Sequence, residues 1–354
     1  MIGGVNMPGN IFFLSACGSD NDAGIYTYAF NAAGKPEETG FVMLRNSGYL
    51  ALSPDRKTLY ATCAYDRSSD GLAAFRVASD GTLVNLLGEI RSTGGRSSCH
   101  VCTSLDGKFV YTANYSSGSV TEFPVNPDGS IGARTFVSRH HGSGPFEKRQ
   151  LSAHAHQCYA APDGKFIIAV DLGCDSIFCY PYTPGKGADK NAVIENKITP
   201  AGSGPRHLVF DATGKRAYLL NELANTLFTL HYSNGRFEIV DRASTLPRGV
   251  DVASKAAAVR LSKDGRFLIV TNRGFDSVIR YDLSNPDKPL GVELQLVGGS
   301  SPRDAEYLCK GKYFAVNNEF SESTRFFDCD PATGRLTPNG YELITPRPLC
   351  LLEL

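Results

Sequence analysis

The chain has 354 residues, 42% of them hydrophobic, which is enough apolar material for a large core. Lysine plus arginine equals aspartate plus glutamate at 36 each, so no net field draws it to nucleic acid or an anionic membrane, and neither is expected as a partner. No run approaches the roughly 20 apolar residues of a membrane span, and the opening MIGGVNMPGN has neither region of a secretion signal, so a cytoplasmic location is expected.

Residues 10–30, NIFFLSACGSDNDAGIYTYAF, read as a second strand, a polar turn and a third strand with no first strand before them. A turn then recurs: Asp106-Gly107-Lys108 before FVYTAN, Asp163-Gly164-Lys165 before FIIAVD, Thr213-Gly214-Lys215 before RAYLLN and Asp264-Gly265-Arg266 before FLIVTN. Degenerate copies stand at Asp55-Arg56-Lys57 and Lys310-Gly311-Lys312. Central positions 56, 107, 164, 214, 265 and 311 are spaced by 51, 57, 50, 51 and 46 residues, a regular period.

Each copy has a short apolar strand before the turn and a second strand after it, ending at Asn114, Asp171, Asn221, Asn272 or Asn318. A polar turn, an alternating third strand and a hairpin into a fourth follow, which describes a four-stranded antiparallel propeller blade. Inserts at 138–152 and 183–200 read as surface loops, with His140 and His141 solvated; His231, on a third strand, reads as structural. The end, TPRPLCLLEL, reads as a first strand with nothing after it and is similar to SPRDAEYLC at 301–309. Joined to the N-terminal segment it makes a seventh blade and removes an open sheet edge. The expected fold is all-β: one seven-bladed β-propeller over residues 1–354, closed by pairing about 10–30 with 344–354.

The first and second strands form a hairpin, so Arg206 and Glu222 meet although sixteen residues apart. The same register places Gly48, Cys99, His156, Arg206, Ala257 and Arg303 at one end of the first strands, with Arg347 opening the strand of the sealing blade. Ala64, Tyr115, Leu172, Glu222, Arg273 and Glu319 follow the second strands at the same end. His100, His154, His207 and Asn114 lie nearby. Charged groups taken from water need partners or a ligand. Several arginines against few carboxylates favour a small anionic molecule, because guanidinium forks match carboxylate and phosphate geometry.

His154 and His156 alternate along a strand and share a face. With no clear third ligand, they read as a base or hydrogen-bonding groups, and no metal or cofactor is expected. Cys99 and Cys102 form the only C-x-x-C, within a strand and without a second pair, so the ten cysteines read as reduced thiols.

The ordered segments SCHV at 98–101, HAHQ at 154–157, GPRHL at 204–208, NEL at 221–223, TNRGFDS at 271–277 and SPRD at 301–304 resemble the lactonase family of seven-bladed propellers. That family includes propeller-type 6-phosphogluconolactonases and fungal carboxymuconate lactonizing enzymes. Motif by motif, the resemblance implies a catalytic set of His156, Arg206, Glu222 and Arg273, with His100, Asn114, His154, His207, Arg303 and Arg347 binding substrate. HAHQ and NRGFDS look more like the bacterial phosphogluconolactonase-like branch than the lactonizing enzymes.

The activity so implied is metal-independent hydrolysis of an anionic sugar lactone, 6-phosphogluconolactone to 6-phosphogluconate. His156 would be the base, Glu222 would orient Arg206, and Arg303, His207 and His100 would hold the phosphate. The competing expectations are a carboxymuconate cycloisomerase and a non-catalytic propeller that binds an anion or a protein. The absence of tryptophan counts against a WD-repeat scaffold.

Overall fold

A computed structural model describes residues 10–18, 21–250 and 252–354. The recurring turn is built on a left-handed residue, with φ of +66° at Gly107, +68° at Gly164, +66° at Gly214 and +74° at Gly265. Glycine is the default there because it lacks a Cβ. The preceding aspartate completes the turn: Oδ1 of Asp106, Asp163 and Asp264 accepts the backbone N–H two residues on, at 3.1, 3.0 and 3.1 Å. Asp-Gly-Lys/Arg therefore repeats because one turn geometry repeats.

Each turn joins the first two strands of an antiparallel sheet. In blade four, the order is Pro205–Phe210, Arg216–Asn221, Thr226–Ser233 and Arg236–Ser244. Among the described residues seven such sheets form, two of them with a short fifth strand. The sealing blade runs Pro36–Met43, Gly24–Phe30, Ile11–Ala16 and then Pro348–Glu353 from the other end of the chain. First strands touch their neighbours in sequence around the ring, and Pro348–Glu353 contacts the first strands of blades six and one. The seven-bladed, four-stranded, closed ring expected from the repeat is the observed architecture.

The core lies between blades. Tyr111 of blade two packs with Cys158 and Tyr180 of blade three, and Ile168 of blade three with Leu219 and Leu230 of blade four. In four blades the Asn/Asp closing the second strand is buried and holds the next turn. Asn114, Asn221 and Asn272 reach Ser119, Thr226 and Ser277 at 3.1, 3.1 and 3.3 Å, while Asp171 accepts backbone N–H groups of His154, Gly173 and Cys174.

The first strands are irregular at one matching point. Pairing passes from Pro205↔Asn221 to His207↔Leu220 and leaves Arg206 as an extra residue. His156, Cys99 and Arg303 are skipped in the same way. In the sealing strand the skipped residue is Leu349, since Pro348 pairs Ala16 and Cys350 pairs Ser15. This corrects the expected register of Arg347: it precedes the strand, at φ +39°, as Gly204 and Ser301 precede theirs at +61° and +62°.

The inserts are also less loose than expected. Residues 147–150 form a short helix, and 187–188 and 194–196 add strands to blade three. His140 is buried rather than solvated. Its ring lies 2.7 Å from both Asp171 Oδ2 and the Tyr180 hydroxyl and stacks on Phe178, a set of partners from blade three that no local pattern could announce.

Closure gives the last residues the weight of a core. Leu351 is buried against Leu14 of the first strand and its neighbours, only three residues from the C-terminus. Leu351→Ala is expected to destabilise the chain by about 2–5 kcal/mol, as in any core. Urea unfolding measures this, and a change below about 0.5 kcal/mol would identify the strand as a frayed appendage.

Candidate active site

Consecutive side chains of a regular strand point to opposite faces, and a bulge re-aims one of them. The extra residue in blade four accordingly sets the Arg206 guanidinium against the adjacent His207 ring, at 3.2 Å. Arg206 crosses to the next blade and donates to the Ala257 carbonyl at 2.5 Å. Its Nε faces Glu222 Oε2 at 3.2 Å, so the Arg206–Glu222 pairing expected from the hairpin is present, with both side chains 3% exposed.

Glu222 is shared. Arg273 Nη2 of blade five lies 2.7 Å from Oε2, and Arg149 Nη2 lies 2.5 Å from Oε1. Burial alone would raise the carboxyl pKa, but Arg273 first, then Arg206, His156 and Arg149 hold it well below the usual carboxylate range. Burial lowers Arg206 to about 9, with Arg273 adding to the effect, which leaves it charged at neutral pH.

His156 stands against this cluster, buried, with Nδ1 lacking any hydrogen-bond partner. Burial, then Arg206, push its pKa well below the ordinary imidazole value, so the ring is neutral at pH 7. Tyr115 meets it edge-on at 5.6 Å, stacks flat on His154 at 4.4 Å and accepts a hydrogen bond from Arg149 at 3.2 Å. His154 is half-buried, with Nδ1 2.9 Å from the Tyr115 carbonyl.

Deeper along the axis, His207 packs edge-on to both His156 and His100, at 5.2 and 5.3 Å, and His100 stacks on Tyr49 at 4.0 Å. Burial holds both imidazoles neutral, aided by Arg206 at His207 and by Arg260, then Arg206, at His100. These two form the floor of the site. Asn114 does not reach the mouth: its amide is committed to Ser98, Ser119 and Thr121 inside blade two.

A second carboxylate, Glu319, takes Arg303 Nη1 at 3.2 Å on Oε2 and Arg347 Nη2 at 2.8 Å on Oε1. Arg347 thus belongs to the mouth despite its shifted register. A cavity of about 370 Å³ opens here, bordered by Arg206, Arg303, Arg347, Cys99, Cys17 and Asn46. Together the two clusters set five guanidiniums against two carboxylates. Asp70 at the cavity edge accepts the Ser98 N–H at 2.5 Å.

One participant escapes the sequence reading, and a second stands in its register without a role. Arg149 lies in an insert outside the repeat register, and nothing local marks it. Tyr115 occupies the position of Glu222 in its own blade, so the register places it at this end, and its part in the site follows from its contacts with His154, His156 and Arg149.

Glu222 is the keystone of the charge cluster, because its removal leaves buried guanidiniums unpaired. Glu222→Ala is expected to cost about 3–5 kcal/mol in urea unfolding at pH 7, and a loss under about 1 kcal/mol would show that water replaces the carboxylate freely. Since its folded pKa is depressed, Glu222 stabilises fully above the ordinary carboxyl value of 4.5. That contribution fades as pH falls below it.

Comparison with known proteins gives the same architecture a family. The family model described as "Lactonase, 7-bladed beta-propeller" matches residues 12–353. The chain is 31% identical over 333 residues to a Bacillus subtilis protein named 6-phosphogluconolactonase, covering 93% of each. It is 35% identical over 323 residues to an uncharacterized Lactococcus lactis protein, covering 89% of this chain and 90% of that one. The structure of a Pseudomonas aeruginosa periplasmic gluconolactonase superimposes with a TM-score of 0.87 at 29% identity, covering 96% of this chain and 98% of the other. With its closed ring and matching length, this chain belongs to the seven-bladed β-propeller lactonase family.

Proposed function

We propose that this propeller hydrolyses an anionic sugar lactone, 6-phosphogluconolactone before others, at the Glu222 mouth. The observation that carries the reading is a neutral, unpartnered imidazole at His156 beside guanidiniums ordered by one buried carboxylate. The name of the Bacillus subtilis relative supports the choice of substrate.

Ring opening requires water to add to the lactone carbonyl carbon, its proton to be taken up, and the resulting oxyanion to be stabilised. His156 accepts the proton as the carbon–oxygen bond forms. Arg206 and Arg273 face the oxyanion as fixed donors, held in place by Glu222. Collapse breaks the ring C–O bond, and the proton on His156 passes to the departing alkoxide, giving the hydroxy acid. Glu222 under three arginines is a poor base, which favours His156 in that role.

A reducing compartment suits the chain, because all ten cysteines are free thiols. Among the described residues no helix is long and apolar enough to cross a membrane.

His156→Ala and Arg206→Ala should each lower kcat/KM for 6-phosphogluconolactone on the order of a hundredfold or more, after subtraction of spontaneous opening. Near-native turnover in both variants would end the proposal. Gluconolactone and a carboxymuconate assayed alongside separate the hydrolase from the cycloisomerase.

A depressed imidazole pKa keeps the base deprotonated as pH falls. The acid limb of kcat/KM should therefore lie well below 6.5, and a midpoint at or above that value would remove His156 as the base.

A further inference from the structure

The Arg303 and Arg347 cavity lies beside the proposed reaction centre, and Arg206 walls both. Its volume falls within the range of small-molecule sites. Arg303 and Arg347 each engage one oxygen of the same carboxylate, so Glu319 neutralises only one of the two charges. Their side chains are 28% and 51% exposed, and each guanidinium has donors beyond the one used. His100 and His207 lie behind Arg206 on the floor, so they do not supply this charge.

The sealing blade adds a second observation. Ala16 pairs with Pro348 as Asn221 pairs with Pro205 and Asn318 with Pro302. The next residue is Glu222 in blade four, Glu319 in blade six and Cys17 in the sealing blade. Two blades therefore supply an acid to their arginines where the third supplies a thiol, hydrogen-bonded to Asn46 Oδ1 at 3.5 Å. Burial raises the Cys17 pKa, so the thiol is neutral and adds no negative charge beside Arg347.

We infer that this cavity is the subsite for the phosphate monoester of the substrate, gripped by Arg303 and Arg347 while Arg206 faces the reacting carbonyl. The inference rests on the lactonase reading of the neighbouring site. Two guanidiniums that share one carboxylate complement a dianion with three terminal oxygens. Cys17 sets specificity by withholding a carboxylate that would repel it.

The test compares kcat/KM for 6-phosphogluconolactone and unphosphorylated gluconolactone in the native chain and in Arg303→Gln, Arg347→Gln and Cys17→Glu. The native preference for the phosphorylated lactone should fall about tenfold or more in each variant, the effect of losing a charged hydrogen bond or adding a like charge. No native preference, or a ratio within about twofold of native in both arginine variants, would overturn the subsite.

Alkylation of Cys17, followed by peptide mass spectrometry, gives a readout independent of turnover. 6-Phosphogluconate should protect the thiol, and gluconate should not. Protection without hydrolysis of any lactone would keep the subsite and refute the hydrolase reading. Equal hydrolysis of both lactones without protection would do the reverse.

Discussion

The innermost strands of five blades carry one residue more than the neighbouring strand pairs, and the site depends on that surplus. A bulge costs ladder hydrogen bonds and gains direction for a side chain. Here it recurs at Cys99, His156, Arg206, Arg303 and Leu349. Because the turns repeat in register, the bulges fall at one level of a closed ring. Residues more than a hundred positions apart in sequence thereby become neighbours, and their spacing is set by sheets with cores packed on both sides. Ring closure by Pro348–Glu353 is part of the same constraint, since Arg347 reaches Glu319 only from the sealing blade.

What these positions carry is costly for folding. Arg206 and Glu222 are almost entirely removed from water, and taking two charges into a core is recovered only with close pairing. Glu222 supplies that pairing to three arginines at once. The His156 nitrogen without a partner and the surplus of guanidiniums over carboxylates remain unexplained by stability alone. A purely structural network would pair its charges one to one and satisfy its imidazoles. Asn221, Asn272 and Asn318 also hold buried amide atoms without partners, so the physical case for a ligand at this end rests on the surplus of guanidiniums gathered there.

The fold was legible because it is periodic: a left-handed turn stabilised by Asp106, Asp163 or Asp264 must recur at blade spacing. Arg206 and Glu222 were legible for the same reason, being fixed across one hairpin. Legibility failed where contacts leave the repeat. Asn114 lies in register near the mouth, yet faces the turn of its own blade. His140 looks solvated in a polar insert and is claimed by Asp171 and Tyr180. Arg149 reaches Glu222 from a four-residue helix whose position follows only from the folded insert. Arg347 was placed two residues out of register because a bulge is invisible in an isolated strand. Even so, its side chain is long enough to reach the mouth.

The floor explains why a ring of strands around an axis makes a pocket rather than a pore. Tyr49 borders the mouth cavity and also a larger one, about 540 Å³, at the other end of the axis. With His100 and His207 it forms a layer of stacked and edge-on rings, braced below by Arg260, which donates to Tyr49 at 3.3 Å and to Asp304 at 2.6 Å. Neutral imidazoles suit that place: they fill the axis without adding charge beneath Arg206. Burial of these rings lowers the local polarity, and a less polarisable medium strengthens the charge interactions of the guanidiniums above. The depressed imidazole pKa values and the close pairing of the arginine cluster are therefore two consequences of one arrangement, a buried layer of rings set one residue deeper than the bulges.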